Sequence, residues 1–120
     1  MNERSSGSTV RWLIQALLGI VLVLLLAIHL IVNHWVAPQG LLTYADIIRY
    51  YDVTGIAWME ALFLIVVTVH CLLGMHSILL DLNVRPQLTG LFTTALAIAC
   101  GIAITYGIWL IRTIVRLSVS

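Results

Sequence analysis

The stretch Trp12–Val36, WLIQALLGIVLVLLLAIHLIVNHWV, is interrupted only by Gln15, His29, Asn33 and His34. A helix needs ~20 mostly apolar residues to cross the hydrocarbon core of a bilayer, and this run exceeds that. Two more runs of the same kind follow, Ile56–Leu80 and Leu88–Ile111, with little chain left over. A membrane barrel would show alternating segments of ~10 residues, and many of them. Inside lipid every backbone N–H and C=O has to be satisfied within the protein, which leaves this chain the helix as its spanning form. The pattern predicts an all-α integral membrane protein, a single domain over residues 1–120, with helices at about 12–36, 56–80 and 88–111.

Composition agrees. Of 120 residues, 62% are hydrophobic and 9% charged, and mean hydropathy is +1.09. Soluble domains carry about 25% charged residues, so this chain has too few to cover a water-facing surface. A soluble enzyme, a nucleic-acid binder and a disordered tail are excluded together. The net charge of +1 argues for no polyanionic partner. Cys71 and Cys100 lie inside apolar runs and are expected to be buried small hydrophobes rather than a disulfide.

The flanks place the ends of the spans. Met1–Thr9 is polar and Ser-rich, and the run after it is too long for the 7–15-residue core of a signal peptide. Arg11 and Trp12 mark entry into the interface and Trp35 and Pro38 mark exit. Between Pro38 and Thr54, Leu41, Leu42, Ala45, Ile48 and Tyr51 recur at roughly helical spacing among Asp46, Arg49 and Asp52. That suggests a short interfacial helix at about 41–51, or else a plain loop. Asp81, Arg85 and Pro86 make a tight second connection, so the second and third spans are antiparallel neighbours. Arg4, Arg11 and Arg85 on one side balance Arg49, Arg112 and Arg116 on the other, and charge sets no orientation. Without an Arg-rich leader, a prokaryotic cytoplasmic membrane is expected.

Histidine carries the chemistry. His29 and His34 lie ~140° apart around a helix and His70 and His76 ~120° apart, so neither pair shares a face for a zinc-type cluster. No carboxylate is expected beside them. Single mid-membrane histidines suit a b-type haem, which takes one His from each of two facing helices. The alternative is that each ring hydrogen-bonds a neighbouring helix. His70 is ~15 Å from Leu80 along the helix, and His29 is ~10 Å from Val36. His76 and His34 fall nearer the interfaces, so His70 and His29 are the candidate iron ligands.

The segment His70-Cys-Leu-Leu-Gly74-Met-His-Ser-Ile-Leu-Leu-Asp81 resembles the second-helix motif of the membrane anchor subunits of succinate dehydrogenase and fumarate reductase. The resemblance extends over nearly the whole chain in length, number of spans and tight second loop, and is greater to the small hydrophobic D-type anchor. It implies a three-helix half of a haem-binding bundle, completed by a second membrane anchor or cytochrome b subunit. It also implies docking of iron–sulfur and flavoprotein subunits, and electron transfer through haem b to quinone. The dicarboxylate site would lie on the flavoprotein, so this chain is part of an enzyme without carrying that site. By the resemblance His70 ligates haem, Asp81 lies at the quinone site, and His29 stands where a second haem's ligand would be. Two haems, through His70 and His29, or one through His70 alone, are the expected arrangements. His76 is a further candidate for a haem propionate or the quinone. Two departures stand out. Leu82 replaces the Tyr that often follows the Asp, and Gln15 and Ala16 stand where an Arg is often found.

The remaining polar residues read as structure. Glu60 is expected at the interface, and Arg112 and Arg116 are expected to snorkel. Ala97/Gly101 and Ala103/Gly107 are expected to form a close-packing surface, and Trp58 and Trp109 to join the aromatic belts. A proton-coupled transporter using Glu60, and an anchor that has lost its haem, are the competing functions.

Overall fold

The computed structural model describes residues 3–41 and 43–120, with side chains from residue 7 onward. Leu42 and the side chain of Arg4, both used above, lie outside the described residues. Four helices follow in the order α1 (Glu3–Val36), α2 (Tyr44–Asp52), α3 (Ile56–Asp81) and α4 (Pro86–Val119). α1 from Gly7, α3 and α4 are each long and apolar enough to cross a membrane. The chain is a multi-pass, all-helical membrane protein.

α3 falls within a residue of the expected span, but α1 begins well before Trp12 and α4 continues well past Ile111. Hydropathy marks where lipid begins, whereas a helix once nucleated propagates cheaply into polar sequence. The far end of α4 is also held by tertiary contact. α2 packs on it, with Tyr44, Ala45, Ile48 and Arg49 around Leu117.

Local chemistry sets the connections. α1 ends before Pro38, where Ala37 N–H donates to Asn33 O at 2.9 Å and Gly40 turns the chain at φ 82°. α2 opens on a capping box: Thr43 Oγ1 accepts from Asp46 N–H at 3.2 Å, and Asp46 Oδ2 accepts from Thr43 N–H at 2.9 Å. Its inward residue is Tyr50, 2% exposed, whereas sequence spacing pointed to Tyr51. Asn83, at φ 51°, makes the left-handed step of the second loop, and Pro86 starts α4.

α3 is the central helix. α1 runs antiparallel to it, meeting it at Gln15–His70 and again at His29–Glu60. α4 runs antiparallel on the other side, through His76–Thr93 and through Leu64 against Gly107. The result is an elongated body of 57 × 25 × 21 Å. Among the described residues only Leu25, Tyr50, Ile56, Val66 and Thr89 are buried. Large apolar side chains such as Leu17, Val23, Phe92 and Ile102 face outward and require lipid or another protein to cover them.

Two expectations change. Gly107 does admit a neighbour, but Ala97, Gly101 and Ala103 are exposed, and a Cβ at Gly101 would meet nothing within 4 Å. Around Ala97 and Gly101, α4 packs on nothing else among the described residues. Cys71 is exposed rather than buried, and both cysteines are free.

Candidate functional site

His70 sits at the middle of α3, eleven residues before its end at Asp81, which is ~16 Å and about half the hydrocarbon core. Its Nδ1 is buried without a hydrogen-bond partner, and among the described residues its Nε2 has none either. A buried polar atom left unpaired is costly and uncommon. The Nδ1–Cε1 edge faces Gly19 of α1, where a Cβ would lie 3.4 Å from Cε1. Around the ring a groove of about 570 Å³ is lined by Ala16, Gly19, Ile20, Leu22, Val23 and Leu24. Apolar walls and one unpaired imidazole are what a flat, apolar macrocycle with an iron to ligate requires. The residues at His70 therefore fit a haem.

Gln15 braces the same point. Its Nε2 donates to the His70 carbonyl at 3.2 Å, while its Oε1 is buried without a partner. The room beside Gly74 is filled by this side chain, since a Cβ at Gly74 would lie 2.8 Å from Gln15 Nε2. The glycine one turn after His70 thus serves a close contact between helices. Gln15 Oε1 and His70 Nδ1 are an unpaired acceptor and a possible donor on residues already in contact.

His29 stands in different surroundings. Its ring stacks on Phe63 with centroids 5.3 Å apart and planes 20° apart. Nε2 lies 2.8 Å from Asn33 Nδ2. An amide nitrogen can only donate, so Nε2 accepts and the proton of a neutral ring resides on Nδ1. Nδ1 in turn lies 3.0 Å from Glu60 Oε1, close but off the axis of a well-formed ring hydrogen bond. The same carboxyl oxygen accepts from Tyr50 OH at 2.8 Å. Burial and the neighbouring Glu60 hold the Tyr50 hydroxyl far above its ordinary range, so it remains a donor. This corrects two expectations. A carboxylate does adjoin a histidine, and Glu60, though only a turn into α3, points inward with its side chain 15% exposed. Antiparallel pairing of α1 with α3 brings the two residues together. His29 Nε2 is thereby paired with Asn33, while Nδ1 faces the Glu60 carboxylate without a well-formed hydrogen bond, so iron at Nε2 would have to break the Asn33 contact.

His76 ties α3 to α4, its Nδ1 2.9 Å from Thr93 Oγ1. Asp81 is exposed at the end of α3, less than one and a half turns from His76, and His34 is exposed in the last turn of α1. Sequence reading did not single out Tyr50, Phe63, Asn33 or Thr93. Gly19 did carry a signal, as a lone glycine in a run of Leu, Ile and Val.

No protein-family model and no solved structure matches the chain. Over 103 residues, 86% of this chain and 87% of the relative's length, it is 29% identical to a succinate dehydrogenase hydrophobic membrane anchor subunit of Archaeoglobus fulgidus. Over nearly its full length this chain is thus similar to a succinate dehydrogenase hydrophobic membrane anchor subunit, and it has three helices long and apolar enough to span a membrane.

Proposed function

We propose that the chain anchors a succinate:quinone oxidoreductase in a prokaryotic cytoplasmic membrane and that His70 holds haem b. The partners on this reading are a second membrane anchor or cytochrome b subunit, an iron–sulfur subunit and a flavoprotein subunit. The observation that carries it is His70: mid-membrane, unpaired at both ring nitrogens, and facing a groove kept open by Ala16 and Gly19. Haem bound there would supply a one-electron carrier between the iron–sulfur subunit and quinone. The chain's own residues do the rest. His70 would hold the iron through Nε2, the nitrogen away from the buried edge, while Gln15 fixes the α3 backbone at that residue. A ligating imidazole commonly donates its other N–H to an acceptor, and Gln15 Oε1 is the unpaired acceptor at hand. Asp81 and His76 lie toward the end of α3 where the quinone would bind, with Asp81 the exposed carboxylate able to exchange protons with water. His29 is held by Asn33, Phe63 and Glu60, so we assign the chain one haem ligand, His70, and give His29 a bracing role.

The exposed faces of the three-helix layer support a partner subunit, which would close the bundle around the haem. Glu60, on which a transporter reading would rest, is committed to Tyr50 and His29, and the similarity to an anchor subunit favours the present reading. The test is affinity purification of the tagged chain from native membranes. Flavin, iron–sulfur centres and a b-type absorbance should co-purify. A chain free of flavin and iron refutes the anchor role, and a flavin-bearing complex without haem refutes the role of His70.

A further inference from the structure

Arg112 and Arg116 stand one turn apart on a ridge of α4 that begins with Ile108. Both are exposed, and among the described residues neither has an acidic partner. On one flank of the ridge, Ala57, Trp58 and Ala61 of α3 with Ile111 and Val115 of α4 line a groove of about 460 Å³. On the other flank, Ile104, Thr105, Trp109 and Thr113 line a groove of about 470 Å³, and Ile108, Arg112 and Arg116 belong to both. Ala57 and Ala61 are small where a larger side chain would fill the first groove. The arginines lie level with the start of α3 at Ile56, at the edge of the membrane, and Trp58 beside them is 82% exposed, as an interfacial Trp is. The two grooves extend from the cations toward the apolar interior.

We propose that this ridge is a binding site for an anionic phospholipid, its phosphate held by Arg112 and Arg116 and one acyl chain lying along each flank. Charge and shape agree on that occupant. Two uncompensated guanidiniums call for an anion, and arginine's fork of donors matches a phosphate. Two grooves that share a cationic end, the first apolar and the second carrying Ile104 and Trp109 beside Thr105 and Thr113, match a lipid with two chains. A snorkelling arginine needs an interface but no groove, and a free anion needs no apolar walls. The site lies on the α3–α4 side of the chain, away from the groove at His70, and does not depend on the haem reading.

The test is native mass spectrometry of the intact detergent-purified complex, titrated with phosphatidylglycerol, phosphatidylcholine or glycerol 3-phosphate. An arginine near an anionic headgroup contributes enough that losing two should weaken binding about thirtyfold. One phosphatidylglycerol per chain is expected, bound in clear preference to phosphatidylcholine, with no binding of glycerol 3-phosphate. The double variant R112Q/R116Q should show the thirtyfold loss. Ala61→Leu, which fills one groove and leaves both charges, should also weaken binding. Arg49→Gln, the same loss of charge at the same end of the molecule but outside both grooves, should not. Equal binding of the two lipids, an unchanged R112Q/R116Q complex, or an equal loss in Arg49→Gln would overturn the proposal. So would binding of glycerol 3-phosphate as tight as that of the lipid, because the site would then recognise phosphate alone.

Discussion

Replacing Tyr50 with Phe removes one hydroxyl and leaves a ring that is 2% exposed in place. The hydroxyl donates to Glu60 Oε1 at 2.8 Å and is the side-chain hydrogen bond that ties α2 to α3. Removing a donor and leaving a buried acceptor short of a partner costs ~1–3 kcal/mol. Taking ~2 kcal/mol, α2 should undock about thirtyfold more often. Hydrogen exchange measured by mass spectrometry on the Tyr44–Asp52 peptide reads that opening directly, since local release exposes its amides well below the global unfolding energy. A second variant separates the contact from mere loss of packing. In a Glu60→Gln background the acceptor is a neutral amide that also holds His29 less well. There Tyr50→Phe should accelerate exchange only about threefold, because a neutral bond contributes less. A change under threefold in the wild-type background, or the same factor in both, would refute this role for Tyr50.

Three other outcomes follow from the same geometry. Gly19→Ala would place its Cβ 3.4 Å from His70 Cε1, an ordinary contact, so haem content should be kept, whereas Gly19→Leu should displace the ring and lose haem. Haem absorbance per chain measures both. Gly74→Ala should push Gln15 off the His70 carbonyl and so match Gln15→Leu, each costing ~1 kcal/mol. The double variant should retain haem in a detergent challenge no worse than either single one, the mark of a shared contact. In alkaline titration followed at 295 nm, Tyr50→Phe should abolish a phenolate transition lying above the ordinary range near ~10. Burial and Glu60 raise that hydroxyl, so the protonated contact stabilises the fold below pH ~10. It is lost as pH climbs from there toward the folded-state value, and the α2 peptide should begin to exchange faster over the same window.

How much of this could be read from the chain depended on what kind of contact each feature makes. The three spans were legible because lipid imposes one length and one composition on any crossing helix. The mid-membrane depth of His70 came from counting residues to Leu80, and the short second loop fixed the antiparallel pairing of α3 with α4. The extra turns of α1 and α4 were not legible, since hydropathy is silent about helix that leaves the lipid. Nor was the Tyr50–Glu60–His29 cluster. It joins α2, α3 and α1 across two connections, and no local spacing encodes which antiparallel register brings position 29 to position 60. Once that register is known, Glu60 turns from an interfacial acid into the residue at which three helices meet. Gly74 illustrates the same limit. Its smallness was visible, but what it makes room for, the Gln15 carboxamide, depends on the neighbouring helix.

The most direct test is haem content per flavin in complexes carrying the wild-type chain, His70→Ala or His29→Ala, read from reduced-minus-oxidised spectra. Loss of haem in His70→Ala, with His29→Ala retaining the wild-type content, is the expected result. Full haem content in His70→Ala, or loss of a separate haem in His29→Ala, would contradict the assignment of His70 as the chain's one haem ligand.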